Sequence, residues 1–160
     1  MVGKVDELVG KSAPDFEARV VGGGYPEGAT VRLSELRGQT VVLYFYPKDD
    51  TPGCTTQACG LRDGWNCVGK KAIIFGVSVD SVESHRRFIE KHKLPFALLS
   101  DESKEIVQAY GMWVEKSLYG KKFMGTERST VIISPDGVVR CVLRKVQPAK
   151  HLDLLLKELD

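Results

Sequence analysis

Two cysteines stand five residues apart in the segment Pro47-Lys-Asp-Asp-Thr51-Pro-Gly-Cys54-Thr-Thr-Gln-Ala-Cys59. A thiolate is a nucleophile, and a second thiol nearby gives it somewhere to go once it has been oxidised. The segment follows an apolar run, Thr40-Val-Val-Leu-Tyr-Phe-Tyr46, whose β-branched and aromatic residues predict a buried strand. The residues after it suit a helix from about 54 to 66, which puts Cys54 in a first helical turn. Backbone N–H groups without intrahelical partners and the positive end of the helix dipole favour an ionised thiol there.

The rest of the chain supplies the frame. Short strands are expected near Phe16–Val20 and Thr30–Leu33, separated by a loop carrying Gly22-Gly23-Gly24, Pro26 and Gly28. Ser34–Gly38 reads as one helical turn with a serine cap and a glycine stop. Ile73–Val79 is a second buried strand, followed by a helix capped by Ser81 that turns Val82, Phe88 and Ile89 inward. A short strand at Pro95–Leu99 and a short helix at Ser103–Tyr110 come next. Thr130–Ser134 and Val138–Leu143 form a hairpin around Pro135-Asp136-Gly137. Pro148 opens a last amphipathic helix with Leu152, Leu155, Leu156 and Leu159 on one side. Strands alternating with helices imply an α/β fold: a central mixed sheet flanked by helices, compatible with a thioredoxin-like fold carrying an N-terminal β-hairpin extension. Periodicity alone does not separate it from other α/β folds.

Composition sets outer limits. The 160 residues fit a single domain over 1–160, and 42% hydrophobic with 28% charged residues is ordinary for a globular protein. A net charge of +2 gives no sign of a nucleic-acid partner, and Lys70-Lys71 and Lys121-Lys122 read as solvated surface. No apolar run approaches the roughly 18 residues needed to cross a membrane. Met1-Val-Gly-Lys-Val-Asp-Glu lacks the pattern of a signal peptide, so a cytoplasmic location is expected. Four cysteines are too few for a disulfide scaffold. Cys67 reads as packing at a helix end, and Cys141, alternating with Val139 and Leu143, as core. The spacing C-x4-C-x7-C of Cys54, Cys59 and Cys67 matches no short zinc or iron–sulfur pattern, and His85, His92 and His151 are dispersed. No metal or other cofactor is expected. Asp49-Asp50 reads as a pair of solvated loop acids.

Taken with these residues, the chain resembles the peroxiredoxins, and among them the bacterioferritin comigratory protein, or peroxiredoxin Q, branch. The signature Pro-x-x-x-Thr/Ser-x-x-Cys is met by Pro47, Thr51 and Cys54. Similarity runs through FYPKDDTPGCTTQACGLRD, Phe75-Gly-Val-Ser-Val-Asp-Ser81, Tyr110-Gly-Met-Trp113 and Glu127-Arg-Ser-Thr130, with weaker support in Ala13-Pro14-Asp15-Phe16. The resemblance implies a thiol-dependent peroxidase acting on hydrogen peroxide and organic hydroperoxides. It makes Cys54 the peroxidatic cysteine, Cys59 the resolving cysteine, and Arg128 the cation beside Cys54. It also implies a Cys54–Cys59 disulfide intermediate, a thioredoxin-type dithiol as reductant, and a monomer or weak homodimer. Gln57 departs from the acidic residue expected in this branch.

Peroxide reduction is thiolate attack on an O–O bond, leaving a sulfenic acid. Ionisation contributes less than it first promises. Lowering a thiol from a pKa of about 8.5 by about 2 units raises the thiolate fraction roughly 30-fold at pH 7. The same drop lowers nucleophilicity roughly 6- to 10-fold. The rate must therefore come mainly from polarising and aligning the peroxide. Thr51 can accept a hydrogen bond from it or donate one. Backbone N–H groups near Gly53 and Cys54 can stabilise the departing oxygen. Arg128 can donate to sulfur and peroxide together. Pro47 and Pro52 stiffen the loop and shield the thiolate.

The implied disulfide has a geometric cost. On one regular helix, five residues mean about 7.5 Å of rise and about 500° of turn. That leaves the Cα atoms roughly 8.5–9 Å apart, beyond the roughly 7 Å at which cysteines can bridge. The first turns must unwind before the two sulfurs meet. Two other readings keep these residues in play: a thiol–disulfide oxidoreductase, which would leave Thr51 and Arg128 without a task, and a redox-sensing binding protein that signals by the same unwinding.

Overall fold

The computed structural model describes residues 6–160; the segment read above for a leader starts outside them. Seven strands form one sheet in the order β2-β1-β5-β4-β3-β8-β9. They are β1 (Glu17–Gly22), β2 (Thr30–Arg32), β3 (Val41–Phe45), β4 (Ile73–Ser78), β5 (Ala97–Ser100), β8 (Ser129–Ile133) and β9 (Val139–Leu143). Strands β3, β4 and β5 are parallel, while β1 joins β5 and β8 joins β3 in antiparallel register. The N-terminal hairpin therefore completes one edge of the main sheet. The helices are α1 (Pro52–Asp63), α2 (Trp65–Val68), α3 (Val82–His92), α4 (Glu105–Ala109) and α5 (His151–Leu159).

Strand β3 is buried along its whole length because it is paired on both edges and covered on both faces. Val41, Leu43 and Phe45 meet one layer, with Ile106 and Val107 of α4 and Leu33. Val42, Tyr44 and Tyr46 meet the other, with Ala58 and Leu61 of α1, Phe88 of α3 and Leu155 of α5. Fully burying a side chain such as Phe88 or Leu155 stabilises the fold by about 1.5–3 kcal/mol. This period-two division places the loop after β3, and so the start of α1, at the carboxyl end of the parallel strands.

Several expectations change. Ser34 lies inside a 3₁₀ turn over Leu33–Leu36 rather than capping it, and its N–H donates to Asp15 Oδ1 at 2.9 Å. The helix from Cys54 stops at Asp63, where Gly64 breaks it from α2. A register shift in β9 puts Val139 and Cys141 on opposite faces, so Cys141 is only half-buried, against the layer that holds Ile132 and Leu155. Burial there pushes its thiol up to about 11. Cys67 is exposed, not packed.

Asp49 is not solvated. It is 7% exposed and accepts from Tyr46 Oη and Ser84 Oγ, with His85 Nδ1 at 2.7 Å. His85 Nε2 lies 2.9 Å from the Leu99 carbonyl, so this histidine, not Val82, takes the most buried position on α3. Asp50 adopts a left-handed φ of 58°, which turns it away from its neighbour toward Lys91 and His92 in solvent. Those two partners lower its carboxyl below the usual range.

An unexpected second sheet pairs β6 (Trp113–Leu118) with β7 (Lys121–Thr126) through Tyr119-Gly120, both at positive φ. Its tip exposes Leu118, Tyr119, Phe123 and Met124. No helix among the described residues is long and apolar enough to cross a membrane.

Candidate active site

Pro52 occupies the first turn of α1, where its missing N–H costs nothing, and Cys54 follows in the same turn. Thr51 sits at the cap position in extended conformation, yet its side chain caps nothing; Oγ1 donates to the Lys48 carbonyl at 2.8 Å. With that proton committed, the hydroxyl faces any incoming group as an acceptor. The first intrahelical bond runs from Thr55 N to Thr51 O at 2.8 Å. The N–H groups of Gly53 and Cys54 therefore have no intrahelical acceptor.

Arg128 enters from the residue before β8. Its Nη2 lies 3.4 Å from Cys54 Sγ, and its Nη1 donates to Gln57 Oε1 at 2.7 Å. Among the described residues it has no carboxylate partner within ion-pair distance, because Glu127 is taken by Arg144. A Cβ on Gly53 would stand 3.0 Å from Arg128 Nη2 and 3.4 Å from Pro148, so only glycine lets the cation lie across the helix start without a shift. Cys54 is 2% exposed. Pro47 is half-buried at the end of β3.

Behind the cysteine lie three buried polar side chains. Gln57 Nε2 approaches His151 Nδ1 at 3.1 Å, and His151 Nε2 approaches Thr130 Oγ1 at 2.8 Å. Burial, followed by the charge of Arg128, lowers His151 to about 3. Burial above all, then the neighbouring Cys54 and Asp49, raises the Tyr44 phenol well above its ordinary value. Tyr44 walls the His151 ring at 5.4 Å between centroids.

Cys54, Gly53 and Arg128 thus gather at one point, with Thr51 at the cap of the same helix start; Pro47 lies in the loop that leads to it. Cys59 does not join them: α1 is continuous across both cysteines, and both are free thiols. Sequence reasoning missed Lys116. Its stem lies over Gly125 of the paired strand, and burial, followed by the charge of Arg128, lowers its ammonium, while Cys54 acts in the opposite sense. The polar β6–β7 hairpin that carries it shows little hydrophobic alternation, and a Tyr-Gly turn is a weaker signal than Asn-Gly. An apolar groove of about 430 Å³, lined by residues that include Tyr25, Trp65, Phe75 and Phe96, opens at the opposite end of the parallel strands and has no part in this arrangement.

This constellation can hold a small electrophile against a thiol, with donors placed for a developing oxyanion and an acceptor for a hydroxyl. Comparison with known proteins gives the same direction. The AhpC/TSA family profile matches residues 9–142. The chain is 45% identical over 152 residues to a peroxiredoxin Bcp of Bacillus subtilis, covering 94% of each chain. It is 42% identical over 131 residues to the Escherichia coli peroxiredoxin Bcp, covering 81% of this chain and 84% of that one. A solved peroxiredoxin Q of Xanthomonas campestris superposes with a TM-score of 0.81 at 39% identity, covering 90% of this chain and 89% of that one. A further solved structure, the bacterioferritin comigratory protein of the same organism, is described through its alkyl peroxide reduction activity; it has a TM-score of 0.81 at 38% identity and the same coverage. The chain has a thioredoxin-like fold and belongs to the AhpC/TSA family, as a peroxiredoxin of the Bcp/peroxiredoxin Q branch.

Proposed function

We propose that this peroxiredoxin reduces hydrogen peroxide and organic hydroperoxides, with Cys54 as the attacking thiolate. The observation that carries this reading is the Arg128 guanidinium, which donates to Cys54 Sγ beside the unpaired N–H groups of a helix start. In the first step sulfur attacks one peroxide oxygen. The S–O bond forms as the O–O bond breaks, and the leaving oxygen takes a proton to become water or an alcohol. Arg128 and the Gly53 and Cys54 N–H groups stabilise charge on the oxygens, while Thr51 Oγ1 accepts from the peroxide hydroxyl. Pro47 and Pro52 hold the loop. In the second step the Cys59 thiolate attacks the sulfenic sulfur, displacing water and forming the disulfide. A thioredoxin-type dithiol then supplies two electrons to restore both thiols. The chain acts as a single domain, as a monomer or weak homodimer, in the cytoplasm, whose reducing conditions keep such thiols reduced at rest.

One equivalent of hydrogen peroxide added to reduced protein is expected to remove two thiols and give a 54–59 linkage on peptide mapping. Amide exchange of residues 54–60 should accelerate on oxidation, because the α1 start must open. Thiol loss that persists in a Cys54→Ser variant would overturn the assignment. Thr51→Val is expected to slow the reaction with peroxide about 10- to 100-fold, and Thr51→Ser to stay near the parent rate. Equal rates for the valine and serine variants would remove Thr51 from the mechanism.

A further inference from the structure

We propose that His151, anchored by Thr130, is a positioning residue for the peroxide-binding cation: it fixes the amide of Gln57 so that the oxygen of that amide holds Arg128 against Cys54. The inference rests on the peroxidase reading above and adds to it a residue on the last helix, 94 positions from Gln57 in sequence.

The argument is one of donors and acceptors. A guanidinium only donates, so the Gln57 atom 2.7 Å from Arg128 Nη1 must be Oε1. The amide nitrogen then faces His151 Nδ1 and must donate to it, which requires that Nδ1 carry no proton. The imidazole proton consequently sits on Nε2 and is donated to Thr130 Oγ1. Only this assignment satisfies every contact in the chain. A proton on Nδ1 would set N–H against N–H. The Gln57 amide would rotate, present its NH₂ to the guanidinium, and leave Arg128 without its acceptor.

Burial makes the pattern binding. His151 and Thr130 are 0% exposed and Gln57 is 1% exposed, so water cannot stand in for a lost partner. The ring is held by Tyr44 on one side and by its own helix, whose Leu155 is fully buried against α1 and the sheet. The low proton affinity of His151 agrees with a neutral ring.

Three measurements test this. Stopped-flow reaction of reduced protein with hydrogen peroxide should slow about 10- to 100-fold in His151→Phe, which keeps the ring's bulk and loses the acceptor. His151→Asn, whose side-chain oxygen can replace Nδ1, should recover most of the rate. In a Gln57→Ala background the additional effect of His151→Phe should vanish, which a general structural role would not produce. Nitrogen NMR of the reduced wild-type protein should find His151 neutral and protonated on Nε2.

Parent-like rates in a folded His151→Phe, a full additional loss in the Gln57→Ala background, or protonation on Nδ1 would each overturn the proposal. Should His151→Phe not fold, the tautomer decides alone. A wild-type protein inert toward peroxide would instead overturn the peroxidase reading, and the tautomer would still be read independently.

Discussion

Arg128→Leu is expected to lower the second-order rate constant with hydrogen peroxide by about 10²- to 10³-fold, the loss typical of removing one preorganised donor to a developing oxyanion. The fork geometry is the reason. One arm of the guanidinium reaches Sγ at 3.4 Å while the other is anchored on Gln57 at 2.7 Å, so the group is already in place when charge moves onto oxygen. Arg128→Lys keeps the charge but cannot hold both contacts, and should recover only part of the rate. Alkylation of Cys54 by iodoacetamide separates the two tasks of the cation, because no O–O bond is polarised there. Its rate should fall much less than the peroxide rate in Arg128→Leu. Equal losses with both reagents would mean that Arg128 serves only the thiolate.

The second large effect is on acid stability. His151 binds its proton at about 3 when folded and near 6.5 when unfolded. Between those values the unfolded chain holds a proton that the native ring does not, so stability rises with pH and is lost as pH falls. The slope approaches about 1.4 kcal/mol per pH unit, accumulating on the order of 4–5 kcal/mol by pH 3. No charge facing the ring offsets this: Gln57 comes from α1, Tyr44 from β3, and Arg128 and Thr130 from the β8 side, where the Arg128 cation adds to the penalty. Asp6, Asp15 and Asp50 all have lowered carboxyls, so the stability they contribute is lost below their ordinary 3.8, beneath most of this window. Urea unfolding from pH 7 to 4.5 should show the slope in the wild type and a shallower one in His151→Asn. Identical slopes would refute this account.

How much of this was legible depends on what each residue's partner lies beside in sequence. Pro47, Thr51 and Cys54 fall within one loop and one helical turn, so the resembled family's signature could be matched on contiguous residues. Arg128 was reached only through resemblance, because nothing local distinguishes it from any other arginine before a strand. Gln57, read as a departure, proves to be the link between Arg128 and His151. Of the three histidines read as dispersed, two hold buried hydrogen bonds. Their signal was helical spacing: His85 lies three residues before buried Phe88, and His151 four before buried Leu155, each on the inward stripe of its helix. Asp49 was misread because exposure was inferred from its acidic neighbour, whereas a positive φ at Asp50 turns the two apart. The β6–β7 hairpin escaped because four of its twelve strand residues are charged and its tip carries no strong turn signal.

The packing of α5 on α1 has a consequence for the order in which the protein becomes competent. Leu152 fills the space over Gly64, Pro148 lies against Gly53, and His151 closes the polar chain behind the cysteine. These contacts join positions near 55 to positions near 150, among the most non-local in the chain. A nascent chain emerging from the ribosome can pair β3 with β4 and coil α1 long before residue 151 appears. Its reactive thiol is then present without the support that aims the cation at it. The chemistry therefore waits for α5 to emerge and dock, and a substitution that disturbs α5 would act on the cysteine from almost a hundred residues away.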